Sequence, residues 1–301
     1  MANENSASST SDNMQGRVCL VTGATTGIGR ETALGLAKRG ATVAIIGRNP
    51  QKVTTTVAEL IAITGNQNIE GLVADLSSQA EIHRVSAEFL EKHDRLHVLV
   101  NNAGAIFFTR RETVDGLEYT FALDHLAYFL LTNLLLDTLK ASATPDRNAR
   151  IISVSSMAHN GAKIKFDDLQ SKTSYSPMGA YGQAKLANIL FTYELARRLM
   201  GTNVTANTLH PGVVSTGFAM NNLGGVIRSA VQLAIRPFLI SAEQGARTSI
   251  YLATSPEVEG ITGEYFDKCK PVRSSAASYD EATAKRLWEV SEQLVGLTAT
   301  V

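Results

Sequence analysis

From residue 17 onward, the sequence alternates short runs of β-branched residues with longer amphipathic stretches. The segments RVCLVTG (17–23) and ATVAIIG (41–47) are typical of strands, and IGRETALGLAKRG (28–40) between them has apolar residues at helical spacing. Continuous Val/Ile/Leu strands that alternate with helices indicate a parallel sheet whose two faces are covered by helices. We therefore predict an α/β fold built on a single doubly wound parallel sheet.

Four further strands are predicted along the chain. Helical stretches such as AEIHRVSAEFLEKH and LDHLAYFLLTNLLLDTLK separate them. No composition break and no internal repeat divides the chain after residue 15, so we predict a disordered tail over residues 1–15 and one domain over residues 16–301. The four strand segments are NIEGLVADL (68–76), LHVLVNNAG (96–104), ARIISVSS (149–156) and NVTANTLHPG (203–212).

Composition excludes several classes of function. The chain has 301 residues with 28 basic and 28 acidic side chains, so its charge gives no reason to expect nucleic acid or an anionic membrane as a partner. Cys19 and Cys269 are its two cysteines, and no Cys/His cluster has metal-ligand spacing. We expect no metal, no disulfide framework and a cytoplasmic location. The polar N-terminus lacks the features of a signal peptide, and no apolar run predicts a membrane-spanning helix.

Three glycines follow the first strand and precede the first helix. Gly23, Gly27 and Gly29 form a G-x3-G-x-G pattern in TGATTGIGRET. Glycines at such a turn let the backbone approach a pyrophosphate and present helix N-terminal amides to it. Because the pattern lies within a strand–helix–strand unit, it predicts a dinucleotide-binding loop rather than an ordinary turn.

The end of the second strand indicates which dinucleotide binds. An acidic residue there would accept hydrogen bonds from a free ribose 2′-hydroxyl, but the sequence IIGRNPQK has Arg48 instead, with Lys52 one turn later. A guanidinium suits a 2′-phosphate through charge-assisted hydrogen bonds. We therefore predict NADP as the cofactor, the alternative being that Arg48 is a solvated loop residue.

Tyr181 and Lys185 lie one helical turn apart in GAYGQAKLANILF. An ammonium near a phenol favours the phenolate, so the pair is suited to giving and taking a proton. This short pattern is also compatible with two ordinary residues on a solvated helix face.

Taken together, the motifs resemble the short-chain dehydrogenase/reductase family, a Rossmann-type fold. The glycine loop, NNAG (101–104), SVSS (153–156), YGQAK (181–185) and HPG (210–212) follow one another in the family's order, and the resemblance runs from about residue 16 to residue 296. It is greatest to the retinol dehydrogenase-like group, through RIISVSSMAHN, AYGQAKLANILFTYELARRL, SAEQGARTSIYLATSPEVEGITGEYF and AKRLWEVSEQLVG.

The resemblance implies a role for each matching residue. Tyr181 matches the catalytic acid/base, and Lys185 matches the lysine that lowers its pKa and binds the nicotinamide ribose. Ser156 matches the serine that hydrogen-bonds the substrate oxygen, and Ser155 would be structural. No G-x-S-x-G elbow surrounds Ser156, so acyl transfer is not favoured. With Asn101 as a further match in the NNAG motif, the predicted cofactor-binding residues are Gly23, Thr25, Thr26, Gly27, Ile28, Gly29, Arg48, Asp75, Leu76, Asn102, Ala103, Gly104, Tyr181, Lys185, Pro211, Gly212, Val214 and Thr216.

One position departs from the family's pattern. The helix after NNAG usually carries an asparagine that helps to hold a relay water beside the lysine, whereas this chain has Asp124 in FALDHLAYF. A carboxylate there would favour the ammonium of Lys185 but oppose the tyrosinate of Tyr181, so its net effect on Tyr181 is open. We count Asp124 as a fourth catalytic residue and expect it to slow turnover relative to asparagine.

The segment from residue 217 to residue 241 is predicted to be a substrate lid. It is mostly apolar, with Arg228 and Arg236 as its charged residues, and therefore suits a lipophilic substrate. A surface helix on the core and a peripheral membrane contact are the alternatives. The helix that carries LANILFTYELARRL is predicted either to pair with a second copy or to cover the sheet.

These patterns predict an NADP(H)-dependent carbonyl reductase or alcohol dehydrogenase acting on a lipophilic aldehyde, ketone or alcohol. One alternative is a module that binds NADP(H) without turnover. The other is reduction of a carbon–carbon double bond, as in the protochlorophyllide reductases that the chain distantly resembles. Those enzymes have a cysteine where this chain has Val213 and a threonine where it has Ser156, and both differences favour carbonyl chemistry.

Overall fold

The computed structural model describes residues 13–212 and 240–297. Its strands form one sheet of eight, parallel except for the antiparallel pairing of the last two. In chain order they are β1 (Val18–Thr22), β2 (Thr42–Gly47), β3 (Ile69–Val73), β4 (Val98–Asn101), β5 (Ala149–Val154), β6 (Val204–His210), β7 (Tyr265–Asp267) and β8 (Lys270–Pro271). The first six are the strands that the sequence predicts. The last two were not predicted, because runs this short carry little periodicity.

Helices cover both faces of the sheet, so the predicted doubly wound fold is confirmed. One face packs against α1, α2 and α7, and the other packs against α3, α5, α6 and α8. The helices are α1 (Gly27–Ala37), α2 (Pro50–Thr64), α3 (Gln79–Lys92), the single turn α4 (Tyr119–Phe121), α5 (Ala127–Ser142), α6 (Pro177–Arg198), α7 (Ala242–Thr254) and α8 (Glu281–Leu294). Between α4 and α5, Ala122–Leu126 forms a π-helical turn that the sequence did not predict.

The sheet order places the functional segments at one edge. The strands run β3-β2-β1-β4-β5-β6-β7-β8, so the chain changes direction across the sheet between β1 and β4. In open α/β sheets, ligands bind outside the carboxyl ends of the strands at such a switch point. The glycine loop follows β1, the NNAG motif follows β4 and Ser156 follows β5, which brings all three to this edge.

Helix α6 is enclosed by the rest of the same chain. All of its residues from 180 to 196 are buried. Helix α8 covers its outer side, where Trp288 stacks on Phe191 at 5.8 Å between ring centroids and contacts Phe129 at 4.9 Å. Pairing of two copies through this face would therefore require α8 to move away.

Several predictions concern the ends of the described residues. Within residues 13–212 and 240–297, one helical stretch, Tyr119–Ser142, is long and apolar enough to cross a membrane, and 72% of its apolar 18-residue window is buried in the fold. Residues 13–15 belong to the predicted tail, yet Met14 is fully buried and its amide donates to the Arg39 carbonyl at 2.9 Å. Met14 is thus packed against the domain that was predicted to begin at residue 16. Residues 1–12 of the predicted tail and 217–239 of the predicted lid lie outside the described residues.

Candidate active site

The structure brings Ser156, Tyr181 and Lys185 together at the carboxyl edge of the sheet. Tyr181 and Lys185 are 8% and 2% exposed, so the interpretation of a solvated helix face was wrong. Ser156 begins the turn after β5, and its side chain is near enough to that of Tyr181 for hydrogen bonding to lower the pKa of the phenol. The Ser155 hydroxyl instead donates to the Lys185 carbonyl at 2.8 Å, which matches its predicted structural role.

A glycine sets the distance between α6 and the Ser156 turn. A Cβ on Gly182 would lie 2.7 Å from the Ala158 carbonyl oxygen, closer than real Cβ atoms approach. The absence of a side chain at Gly182 thus lets the helix lie directly against the turn that follows Ser156. Because Gly182 is next to Tyr181, this close packing sets the position of the phenol relative to the serine.

Lys185 lies at the centre of a buried cluster. Its ammonium donates to the Val154 carbonyl at 3.2 Å and lies 3.4 Å from Oδ2 of Asp124. This second contact is an ion pair without the alignment of a good hydrogen bond. The ammonium is also 5.4 Å from the ring centroids of both Tyr181 and Tyr128. Tyr128, which sequence reasoning missed, lies one helical turn after Asp124, and that spacing was the available signal.

Asp124 lies on the π-helical turn and is fully buried. Its Oδ1 accepts a hydrogen bond from the Ala105 amide at 2.9 Å. Gly104 packs against the same carboxyl group, since an added Cβ there would lie 2.9 Å from Oδ2. The end of the NNAG motif therefore holds the Asp124 side chain against Lys185. Single π-helical turns occur frequently at functional sites, and this one carries the residue that departs from the family's pattern.

Burial dominates the protonation of this cluster. It raises the pKa of Asp124 to about 6, although the Lys185 ammonium and the Ala105 amide oppose the rise. Burial also lowers the pKa of Lys185, and Asp124 opposes that change. The pKa of Tyr181 is raised, first by burial and then by the charge of Asp124, while the bond with Ser156 lowers it. The direct effect of the Asp124 charge on Tyr181 is therefore to oppose the tyrosinate.

The glycine loop has the shape of a pyrophosphate cradle. Gly23 has φ +64°, and a Cβ there would lie 2.7 Å from Cα of Ala103. Asn102 closes the other side, since its side-chain amide donates to the Thr22 carbonyl at 2.8 Å. Helix α1 begins at Gly27, and its N-cap residue Thr26 makes no side-chain capping bond, so the first-turn amides remain available to an anion. These residues fit a dinucleotide.

Arg48 and Asp75 lie side by side at the ends of β2 and β3. The Arg48 guanidinium is 3.8 Å from the Asp75 carboxylate and donates to the Tyr119 hydroxyl at 3.2 Å. Its side chain is 69% exposed, so it is free to meet a ligand at the edge of the site. Pro211 and Gly212 follow β6, as predicted, whereas Val214 and Thr216 lie outside the described residues.

Other polar residues near the site have structural roles. Nδ1 of His210 accepts from the Met157 amide at 3.3 Å, and Nε2 of His159 accepts from the Ser275 amide at 3.1 Å. The part of the chain that the structure describes contains no group of three potential metal ligands.

The fold and this site define a class of protein. Residues 17–224 match the family described as short chain dehydrogenase, so the chain belongs to the short-chain dehydrogenase/reductase family. It is therefore an oxidoreductase of the type that acts on alcohol and carbonyl groups, with a nicotinamide cofactor.

Similar proteins place it in the retinol dehydrogenase-like group. The chain is 43% identical to retinol dehydrogenase 12 of Mus musculus over 282 residues, which cover 94% of this chain and 87% of that protein. It is also 43% identical to polyprenol dehydrogenase of Homo sapiens over 283 residues, which cover 93% and 86% of the two chains.

Solved structures share the fold of this chain. An uncharacterised protein from Mycobacterium paratuberculosis aligns with a TM-score of 0.75 and 32% identity over 94% of this chain and 95% of its own. The RhlG/NADP active-site complex of Pseudomonas aeruginosa aligns with a TM-score of 0.69 and 28% identity over 85% of this chain and 96% of its own.

Proposed function

We propose that this protein is an NADP(H)-dependent oxidoreductase that interconverts a lipophilic aldehyde or ketone and the corresponding alcohol, with Tyr181 as acid/base. The observation that carries the proposal is the meeting of half-buried Ser156 with buried Tyr181 and Lys185, at the same carboxyl edge of the sheet as the glycine loop. The side chains of Ser156 and Tyr181 are near enough to interact by hydrogen bonding, as they must be to act on one substrate oxygen.

Each residue of the site has a separate role in carbonyl reduction. The nicotinamide, when bound, supplies or accepts the hydride. Ser156 donates a hydrogen bond to the substrate oxygen as negative charge develops there, and Tyr181 donates its phenolic proton to the same atom. Lys185 holds a positive charge beneath the Tyr181 ring, and Asp124 helps to keep that charge in a buried place. In the direction of alcohol oxidation, Tyr181 takes the proton back.

The preference for NADP rests on Arg48. An exposed guanidinium at the end of β2, with no carboxylate at that position of the strand, suits a 2′-phosphate. We expect Arg48→Ala to weaken NADPH binding by about tenfold or more and to leave NADH binding nearly unchanged. Lys52→Ala, one turn further on, is the matched control. Equal losses for both cofactors in Arg48→Ala would contradict the preference.

The substrate class rests on the similar proteins and on the lid. The names of two relatives contain retinol and polyprenol, which are long apolar alcohols. The apolar sequence between residues 217 and 241 is in keeping with such substrates. The cytoplasmic location predicted from the sequence stays a prediction.

The test follows NADPH absorbance with purified protein and a panel of retinal, aliphatic aldehydes, aromatic aldehydes and ketones. We expect NADPH-dependent turnover that falls about 100-fold or more in Tyr181→Phe. Tyr193→Phe is the control, since Tyr193 is buried in the same helix but bonds Ser274 instead of the site. Equal activity of Tyr181→Phe and the parent would overturn the role of the phenol.

A non-catalytic NADP(H)-binding module is the second candidate, because the charge of Asp124 disfavours the tyrosinate. An absence of turnover across the panel, together with a Tm raised by NADPH, would favour it. Consumption of an enone's double bond while its carbonyl remains would instead favour the carbon–carbon reductase.

A further inference from the structure

A chain of buried polar groups connects the C-terminal helix α8 with the turn that carries Asp124. Nε2 of His125 lies 3.1 Å from Oγ of Ser291 on α8, and Nδ1 of His125 lies 3.2 Å from Oδ1 of Asn188 on α6. The Asn188 side-chain amide donates to the main-chain carbonyl of Asp124 at 2.8 Å. His125, Asn188, Ser291 and Asp124 are all fully buried. None of these bonds belongs to the residue roles described above.

The available donors and acceptors determine in which direction these hydrogen bonds run. Because the Asn188 amide nitrogen must donate to the Asp124 carbonyl, its oxygen faces His125, and Nδ1 of His125 must carry a proton. Burial lowers the pKa of His125 to about 4, so the ring is neutral and its Nε2 is an acceptor. The hydroxyl of Ser291 is then the donor to Nε2. Its single proton is shared with the Leu287 carbonyl, to which the hydroxyl also donates at 2.7 Å and which accepts a backbone bond within α8 as well.

The opposite arrangement leaves buried groups unpaired. With the Asn188 amide as it stands, a proton on Nε2 would leave Nδ1 of His125 facing the amide oxygen without a donor. Rotating the amide would supply that donor but would place its oxygen against the Asp124 carbonyl. Each unsatisfied buried group costs about 1 to 3 kcal/mol. One orientation therefore satisfies the whole chain, with donation running from Ser291 to His125, then to Asn188 and finally to Asp124.

The chain ends where Lys185 is held. Asn188 lies three residues after Lys185, so both side chains leave α6 on the same face. Lys185 contacts the carboxylate of Asp124, and Asn188 bonds its carbonyl. These two contacts between α6 and the π-helical turn fix the main-chain peptide of Asp124 as well as its side chain. The ring of His125 is itself held by Phe121, at 5.0 Å between ring centroids, and by Phe191, at 6.3 Å.

We infer that His125 and Ser291 are positioning residues, which hold Asp124 in place through Asn188 and make α8 part of the active-site support. The inference rests on the proposed function for its kinetic consequence, but the hydrogen-bond chain is testable without turnover. Neither residue touches the reacting atoms. They act by keeping the Asp124 carboxylate in contact with the Lys185 ammonium.

The spectroscopic test is nitrogen-15 NMR of the histidine side chains in the full-length protein without substrate. For the assigned His125 ring at pH 7.5, we expect a neutral ring protonated on Nδ1, with a slowly exchanging Nδ1 proton. Ser291→Ala should shift the Nε2 resonance, because Nε2 loses its donor, and Ser291→Thr should restore it. A charged ring, or a ring protonated on Nε2, would overturn the inference whether or not the protein turns over any substrate.

The kinetic test uses a matched pair of serines. Ser86 is also a buried helical serine whose hydroxyl donates to the carbonyl four residues earlier, that of Ile82, at 2.8 Å. We expect Ser291→Ala to lower kcat about fivefold with little change in KM, the loss of one hydrogen bond, and Ser86→Ala to leave kcat unchanged. Recovery of kcat in Ser291→Thr would support positioning. Equal changes in kcat for the two alanine variants would overturn it.

Discussion

Asp124 and Lys185 form an ion pair that almost no solvent reaches. Their side chains are 0% and 3% exposed, and the two charged atoms are 3.4 Å apart. Taking both charges out of water has a large unfavourable free energy, which the attraction between them offsets only in part. The pKa of Asp124 rises to about 6 for this reason, so near neutral pH the carboxylate remains charged and opposes the tyrosinate of Tyr181.

The effect of Asp124 on Tyr181 is testable through the pH dependence of alcohol oxidation. A negative charge near Tyr181 makes removal of its proton harder and so raises its pKa; replacing that charge lowers the pKa. We expect Asp124→Asn to reach half-maximal oxidation about one pH unit lower than the parent. Asp137→Asn is the control, because Asp137 is fully exposed near the end of α5. An unchanged or higher midpoint in Asp124→Asn would contradict the assignment.

The Tyr128 hydroxyl is buried and has no hydrogen-bond partner among the described residues. Burial raises the pKa of Tyr128 well above its usual value, so the hydroxyl remains protonated. Because an unpaired buried hydroxyl is unfavourable, we expect Tyr128→Phe to leave the free energy of unfolding unchanged or to raise it by up to about 2 kcal/mol. In Tyr193→Phe, which loses a bond to Ser274, it should fall by about 1 kcal/mol. A fall in Tyr128→Phe as well, measured by urea unfolding, would show that the hydroxyl is paired in solution.

At the scale of an element, α6 combines two functions in one helix. Ser176 caps its N-terminus by accepting from the Gly179 amide at 3.1 Å, and Pro177 occupies the first helical position. The first turns present Tyr181 and Lys185 to the site, and the later turns are packed on all sides. A displacement of the helix would therefore move the catalytic residues and disturb the core together.

Gly182 offers a way to move the helix by a small amount. A methyl group there meets the backbone oxygen of Ala158, which cannot swing away as a side chain can. We expect Gly182→Ala to lower the free energy of unfolding by about 1 to 3 kcal/mol and kcat by about tenfold or more. Ile189→Val, a buried change further along α6, should lower stability by about 1 kcal/mol without affecting kcat. If both variants lose activity in proportion to stability, the close approach has no catalytic role.

At the scale of the whole molecule, α8 completes the core on one face of the sheet. Its single tryptophan, Trp288, is 5% exposed and packs among aromatic rings from α5 and α6. The Arg198 guanidinium covers the outer face of the indole at 4.2 Å from the ring centroid. Helix α8, which supports the π-helical turn that carries Asp124, is thus anchored by a large apolar contact.

Trp288 makes the docking of α8 observable. Since α8 covers the same core cluster as α5 and α6, we expect the fluorescence change of Trp288 and the far-UV circular dichroism change to coincide in urea. Trp288→Phe, which lacks the signal, gives the baseline. A fluorescence transition at lower urea than the loss of secondary structure would mean that α8 detaches first.

The sequence by itself determined the six parallel strands and the helices between them, and the resemblance of its motifs to a family implied the roles of Ser156, Tyr181 and Lys185. Local hydrophobic periodicity specifies each element, and parallel topology then brings the strand ends together without further information. Even the departure at Asp124 is visible, since it occupies a fixed place in a motif.

Only the tertiary structure decided the rest. The effect of Asp124 on Tyr181 depends on burial by residues from several segments, because desolvation is set by everything that surrounds a charge. The donation from Ser291 through His125 to the Asp124 turn joins residues 166 positions apart, and no spacing in the sequence signals it. Packing between distant segments determines which polar groups are neighbours in the core. Each of them needs a hydrogen-bond partner from the protein, because water does not reach it.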